Sequence, residues 1–191
     1  RRYVEERLHK FEMGNGLEKN TIEMVLMIET ALGLEMAFAI ASASPRVSAL
    51  TIGGQDFTAD MGVQKTKEGR ELFYARCRVV AAAHAAGVDS YDTVWADIMD
   101  NEGLLRETKE IVGLGFTGKA CIHPSQIATI HKAFMPAEKE LRKAERVVEA
   151  AEKAEREGKG VVSVDGKMVD APIINHAQRV LERAAASGVR R

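Results

Sequence analysis

The sequence predicts an α/β fold in which parallel strands alternate with helices, and three observations lead there. Two apolar runs, Met24-Val25-Leu26-Met27-Ile28-Glu29 and Leu50-Thr51-Ile52-Gly53-Gly54-Gln55-Asp56, are too short and too apolar for surface helices and read as buried parallel strands. Each run ends in a lone carboxylate, and the two are separated by one helical crossover. Strand and helix signals then alternate four times along residues 1–136 of the 191-residue chain, at the repeat lengths of βα units.

The elements follow in order. Val4, Leu8, Phe11 and Met13 punctuate a charged opening helix that Gly14-Asn15-Gly16 ends. After the first strand, residues 32–40 predict a helix buried on most sides. Pro45 introduces the second strand, around residues 49–53, and residues 55–67 read as a long polar loop. A helix over 70–86 stops at Gly87, and Tyr91-Asp92-Thr93-Val94-Trp95-Ala96 suggests a third strand. Asn101 is the expected cap of a helix running to Leu114. Lys119-Ala120-Cys121-Ile122 is a fourth short strand, closed by His123-Pro124, with a further helix through Ile130. Such units form half of an eight-stranded barrel, which takes about 250 residues, or belong to an open doubly wound sheet.

Beyond Pro136 the character changes, and residues 137–191 read as a separate extension. Residues 137–157 carry the i,i+4 pairs Glu138/Arg142, Glu149/Lys153 and Glu152/Arg156 of a solvated helix, with a narrow stripe of Leu141, Ala144, Val148 and Ala151. Val161-Val162-Ser163-Val164, Asp165-Gly166 and Lys167-Met168-Val169 spell a hairpin with a two-residue turn. Asp170-Ala171-Pro172 opens a last helix ending near Ala186. With so little apolar surface of its own, the extension is expected to pack on a neighbouring subunit. The chain opens on Arg1-Arg2-Tyr3 without an initiator Met, which suggests a protein whose front end lies outside this chain.

Gross properties narrow the function. A formal net charge of −1 with both signs interspersed argues against a nucleic-acid footprint. No run is long enough to span a bilayer, and no apolar signal region follows the first arginines. Cys77 and Cys121 are isolated, so neither a disulfide framework nor a zinc site is expected, and a reducing cytoplasm is the default.

The chemistry centres on Glu29 and Asp56. Acids at the C-terminal ends of consecutive parallel strands lie where such folds keep their sites. Brought together they repel unless a cation lies between them, and a divalent metal is the simplest candidate. Glu29 competes with bland roles as a helix cap, which Thr30 fills better, or as the partner of a surface Lys. Asp56 also suits ordinary turn chemistry after Gly53-Gly54, although those glycines permit close backbone approach and offer amides to an anion. Asp60 reads as a third acid or, more readily, as a residue ordering its loop. Gly113, Gly115 and Gly118 match G-x-G-x-x-G but close a helix instead of opening one, so they are no dinucleotide fingerprint. Lys119 and His123 flank a strand end and could touch an anion, while His123 equally suits a hydrogen-bonded Pro turn. Asp170 reads locally as the cap of the last helix, and its place on the extension also suits an acid delivered into another subunit's site.

Ile28-Glu29-Thr30, the segment from Gly53-Gly54-Gln55-Asp56 to Met61-Gly62, the segment from Gly115-Phe116-Thr117-Gly118-Lys119 to His123-Pro124, and Gly166-Lys167-Met168-Val169-Asp170-Ala171-Pro172 together resemble one family. It is the citrate lyase β-subunit (citryl thioester lyase) family of the HpcH/HpaI aldolase and malyl-CoA lyase superfamily. The resemblance implies a TIM (β/α)8 barrel, with residues 1–136 its C-terminal part (about four βα units) and residues 137–191 an appended helix–hairpin–helix. It also implies that a substrate-binding Arg of the earlier strands lies outside this chain, and that the half-barrel's open edges need covering. By the same resemblance Glu29 and Asp56 hold Mg2+ (or Mn2+), Glu29, Gly53 and Gly54 line the substrate, and Asp170 is the catalytic acid supplied to a neighbouring subunit. The implied activity is cleavage of a 3-hydroxy-acyl thioester, citryl on acyl-carrier protein or CoA, to oxaloacetate and an acetyl thioester. The implied setting is a cytoplasmic homo-oligomer, trimer or hexamer, or a citrate lyase complex. The rivals are a malyl-CoA or citramalyl-CoA lyase, a pyruvate-type hydroxy-acid aldolase, and a non-catalytic scaffold subunit that keeps the family shell.

Overall fold

A computed structural model describes residues 2–157 and 162–186. The chain divides between Ile130 and His131 into two compact units.

The first unit begins with α1 (Arg2–Gly14) and continues through β1 (Met24–Ile28), α2 (Ala31–Glu35), α3 (Ala37–Ala41), β2 (Val47–Ile52) and α4 (Gly54–Asp60). A 3-10 turn at Arg70–Leu72 leads into α5 (Phe73–Ala86), followed by β3 (Asp89–Asp92), α6 (Asn101–Leu114) and β4 (Gly118–Lys119). A second 3-10 turn at Pro124–Gln126 leads into α7 (Ile127–Phe134), which crosses the division. The sheet is wholly parallel in the order β1-β2-β3-β4, as successive βα units require. One register row joins Met27, Thr51, Tyr91 and Gly118 across all four strands. The adjacent row, Leu26, Leu50 and Ser90, alternates to the other face.

The core lies between sheet and helices: Ile28, Leu50 and Ile52 from the strands with Leu34, Ala37, Ala41, Val79, Ala83, Leu104 and Ile111 from the helices. α3 and α5 pack on each other and on β2, where the small residues Ala37, Ala41, Ala82 and Ala83 let backbones come close. β2 is buried along almost its whole length, as expected of an apolar run in a parallel sheet. β1 departs from that expectation. It alternates, with Val25 51% and Met27 57% exposed, because it is an edge strand of the described sheet and helices cover only one of its faces.

Four further expectations need correction. The helix over 32–40 is broken at Met36 into two short pieces, and Leu32, Met36 and Phe38 are exposed, so it is not buried on most sides. Residues 55–67 are not all loop, since α4 occupies the first half; Phe57 and Thr58 are buried and anchor it. The cap of α6 is Asp100 and not Asn101, its carboxylate accepting the Gly103 N–H at 2.8 Å. Strands β3 and β4 are also shorter than the sequence pattern suggests; β3 starts two residues earlier and ends four earlier, and β4 starts one earlier and ends three earlier, because Asp89 and Gly118 already pair in register.

In the second unit, α8 (Glu138–Arg156) and α9 (Ala171–Ala186) flank the antiparallel hairpin β5 (Val162–Val164) and β6 (Lys167–Val169). Val161 of the expected hairpin lies outside the described residues. Asp165 and Gly166 both adopt positive φ, at 51° and 74°, the conformation a two-residue I′ turn demands. A small core of Ala144, Val147, Val169, Ala177 and Val180 joins both helices to the hairpin. The Glu138–Arg142 pair of α8 forms at 2.6 Å, and Arg146 reaches Asp165 at 3.0 Å.

Candidate metal and substrate site

Glu29 is the residue after β1, and Gly53 the residue after β2; Ile28 and Ile52, which precede them, are register partners. The two chain exits therefore run side by side. A Cβ at Gly53 would lie 2.8 Å from Glu29 Cβ and 3.0 Å from Glu29 Oε2, so only glycine lets the second strand pass the Glu29 side chain. Asp56 follows in the first turn of α4. Thr30 caps α2 by accepting the Gly33 N–H at 3.0 Å, which leaves the Glu29 carboxylate without a capping task.

Among the described residues, neither the Glu29 nor the Asp56 carboxylate is in an ion pair or accepts a hydrogen bond, and both are exposed. Three other acids that follow the strands are engaged. Asp60 accepts the Ala31 N–H at 2.8 Å and so ties α4 to the start of α2, the loop-ordering role its sequence position suggested. Asp97 and Asp100 both accept from Lys67 Nζ, at 2.8 and 3.1 Å. That ammonium keeps the Asp97 carboxyl below its usual range; for Asp100 the Gly103 N–H does more and Lys67 adds to it.

The donor set suits a hard cation. One carboxylate directly after β1 and one in the first turn of the helix after β2 could ligate one ion together while leaving most of its sites to water and substrate, the habit of Mg2+. Among the described residues no cluster of three or more His, Cys, Asp or Glu forms, so the closed cage of a structural zinc site is absent there. The glycine amides behave differently from the sequence reading. The Gly53 N–H donates to the Ile28 carbonyl at 2.9 Å and the Gly54 N–H to Thr93 Oγ1 at 3.1 Å, so neither is left to bind an anion. What these glycines contribute is close approach.

Asp170 lies in the second unit, exposed, where its Oδ1 accepts the Ile173 N–H at 3.2 Å at the start of α9. His123 caps the turn at Pro124, its Nδ1 accepting the Ser125 N–H at 3.2 Å, as the Pro-turn reading expected. Gly113 and Gly115 end α6 and Gly118 begins β4, so the G-x-G-x-x-G match carries no helix N-terminus.

Sequence reasoning missed a buried charge cluster beneath this mouth. Arg76 of α5 makes two hydrogen bonds to Asp92, at 2.8 and 3.0 Å, and an ion pair with Glu107 of α6 at 2.8 Å. Lys119 bridges the same two acids at 2.8 and 2.7 Å and donates its third hydrogen bond to the Thr93 carbonyl at 2.7 Å. All three Lys119 donors are thus spent and its side chain is fully buried, so it does not contact a ligand as its strand-end position suggested. Burial opposes the Arg76 charge, yet the Asp92 and Glu107 carboxylates outweigh it and raise its pKa. Beside the cluster, burial lowers the Lys65 ammonium below its ordinary value. The signal available in the sequence was Arg76 itself, one of two arginines inside the Ala- and Val-rich α5.

The fold and site define an α/β protein of parallel βα units with its free acids at the carboxyl ends of the strands. Within that class, the chain belongs to the HpcH/HpaI aldolase/citrate lyase family, whose profile matches residues 2–124. It is 42% identical to the citrate lyase subunit beta of Escherichia coli (strain K12), over 98% of this chain and 62% of that protein. It is 33% identical to the mitochondrial citramalyl-CoA lyase of Rattus norvegicus, over 91% of this chain and 53% of that one. Among solved structures it superposes on CitE from Mycobacterium tuberculosis in complex with magnesium, acetoacetate and coenzyme A, with a TM-score of 0.72 at 33% identity, over 85% of this chain and 61% of that chain. The chain thus spans less than two thirds of the length of these relatives.

Proposed function

We propose that this chain carries the metal-binding part of a Mg2+-dependent carbon–carbon lyase that cleaves a 3-hydroxy-acyl thioester, with citryl on acyl-carrier protein or CoA as the first substrate to test. The observation that carries the reading is the pair of unengaged carboxylates, Glu29 and Asp56, at the exits of adjacent parallel strands. Family membership supports it, as does the magnesium named with the M. tuberculosis structure. Glu29 and Asp56 would hold the cation, Mg2+ or Mn2+. Once bound there, it would offset negative charge growing on the substrate hydroxyl oxygen.

The remaining steps fall to the protein. As the hydroxyl gives its proton to solvent water, the bond between the carbinol carbon and the thioester α-carbon breaks. Its electron pair moves to the α-carbon, releasing the oxo acid (oxaloacetate from citryl), and that carbon then takes up a proton. Asp170, exposed at the head of α9, is the candidate donor, supplied to a neighbouring subunit by the extension of residues 137–191. Gly53 would let substrate and Glu29 share a tight space. On this reading residues 1–136 are the C-terminal part of a (β/α)8 barrel, whose remaining strands would cover the β1 and β4 edges. A homo-oligomer or a citrate lyase complex in a reducing cytoplasm would be the setting, consistent with the free Cys77 and Cys121. No helix of the described residues is long and apolar enough to cross a membrane.

Likeness to a citramalyl-CoA lyase makes citramalyl thioester the second substrate to test. The experiment is retro-cleavage of citryl, citramalyl and malyl thioesters by the protein as its gene encodes it, alongside Mg2+ titration of Glu29→Ala and Asp56→Ala. Each variant should bind Mg2+ at least about tenfold more weakly, the loss of about 1.4 kcal/mol of coordination. Unchanged affinity in both would defeat the site, and a chain that binds Mg2+ but cleaves no thioester would point to the scaffold role.

A further inference from the structure

We infer that Thr93, held by the buried Arg76–Asp92–Glu107–Lys119 cluster, is the positioning residue for Asp56. The inference rests on Asp56 being a metal ligand and adds what sets its place. The path is short and made of direct hydrogen bonds. Lys119 Nζ donates to the Thr93 carbonyl at 2.7 Å, so the residue following β3 is fixed from below by an ammonium whose other donors are anchored on Asp92 and Glu107. On its other side, the Thr93 hydroxyl oxygen accepts the Gly54 N–H at 3.1 Å. Gly54 is the first residue of α4, and Asp56 lies two residues further on in the same turn. Where Thr93 sits therefore decides where α4 starts and which way its first turn faces.

Three features make this more than a packing contact. Gly54 is buried, so its N–H has no water to fall back on, and losing the Thr93 acceptor would leave a buried donor unsatisfied. A Cβ at Gly54 would lie 3.0 Å from both Thr93 Oγ1 and Leu72 Cδ1, so the fit leaves the turn almost no slack. The cluster is also neutral, two cations against two anions, with each charge hydrogen-bonded to at least one opposite charge. Buried networks satisfied to that degree are rigid. A metal site with only two protein ligands depends heavily on how those two are aimed, since there is no third to correct them. Glu29 is aimed by the exit of β1. Asp56 sits exposed in the first turn of α4; Phe57, Thr58 and the Asp60 bond to the Ala31 N–H hold the later residues of that helix, and the Thr93–Gly54 hydrogen bond holds its first turn to the rigid layer.

The test uses Mn2+ affinity by electron paramagnetic resonance, with thermal midpoints recorded without metal, on the protein as its gene encodes it. Thr93→Val keeps the shape and removes the acceptor; it should weaken Mn2+ binding about fivefold or more. Thr93→Ser keeps the acceptor and should bind Mn2+ within twofold of the parent. A merely structural Thr93 would lower the midpoint in Thr93→Val and leave Mn2+ affinity untouched, which overturns the inference. Should Thr93→Val fail to fold, Gly54→Ala displaces the same turn with every hydrogen-bonding group retained, and unchanged Mn2+ affinity there overturns the inference equally. Asp56→Ala separates the two readings. If it leaves Mn2+ binding intact the site itself falls, whereas if it weakens binding while Thr93→Val does not, only the positioning role falls.

Discussion

At Glu12 both carboxylate oxygens face the Arg46 guanidinium, and the Ile22 and Asn20 N–H groups add hydrogen bonds at 3.0 and 3.2 Å. The Arg46 hydrogen bonds outweigh the cost of burial and bring the Glu12 pKa from 4.5 down to about 2. A depressed carboxyl pKa stabilises the fold above the unfolded value and loses that contribution as pH falls through the folded value. Unfolding measured against pH should therefore show stability dropping between about 4.5 and 2, and Glu12→Gln should flatten that window. A second expectation concerns the buried cluster. Asp92→Ala strands Arg76 and Lys119 on one remaining acid and should cost about 3 to 5 kcal/mol in denaturant unfolding, the scale for breaking a buried pair. A loss under 1 kcal/mol would mean water enters and the cluster is not sealed. These residues also mark what the sequence reveals at this scale. The places of Glu29 just after β1 and of Asp56 shortly after β2 were legible because each closes an apolar run, a local pattern. Arg76, Asp92, Glu107 and Lys119 were not, because they lie on two helices and two strands and look, one at a time, like ordinary surface charges.

The legible elements are those whose signals are periodic or stereochemical. α8 and α9 follow a helical stripe, and the β5–β6 hairpin follows from Asp165-Gly166, which tolerate the positive φ its turn needs. β1 and β2 could be read because parallel strands must be apolar. α4 was missed because its burial comes from tertiary contact at Phe57 and Thr58, and seven residues carry too little period to announce a helix. The break at Met36 was missed for a related reason: a continuous apolar run looks the same whether one helix or two short ones carry it. The second unit's core is small, so its parts matter individually. Val180→Ala deletes two methyl groups from the centre of a cluster of five buried residues. It should cost about 2 to 3 kcal/mol, from lost transfer energy plus the cavity left. Circular dichroism during chemical denaturation would measure it; a cost near zero would mean that the hairpin and α9 do not share that core.

For the molecule as a whole, the parallel sheet has helices on one face; on the other, Val25 and Met27 of the edge strand β1 are exposed, while their register partners Ala49 and Thr51 on β2 are buried. An apolar edge strand open to water on one face invites pairing with another chain, and proteins rarely leave one so. If the sheet is part of a closed barrel, as proposed above, that face is interior, and barrel interiors are filled with packed side chains. The exposure of 51% at Val25 is then a property of this stretch alone, and the complete protein should hide it. Thiol labelling can decide, with Val25→Cys compared against Met99→Cys, a loop position 88% exposed, both in a background carrying Cys77→Ser and Cys121→Ser. In the protein as its gene encodes it, a barrel predicts labelling at position 25 at least about tenfold slower than at position 99, since reaching a packed interior needs local opening that costs about 1.4 kcal/mol or more. Comparable rates at the two positions would mean the sheet stays open on that face, and the half-barrel reading would fall while the Glu29–Asp56 site, which needs only adjacent strand ends, would stand.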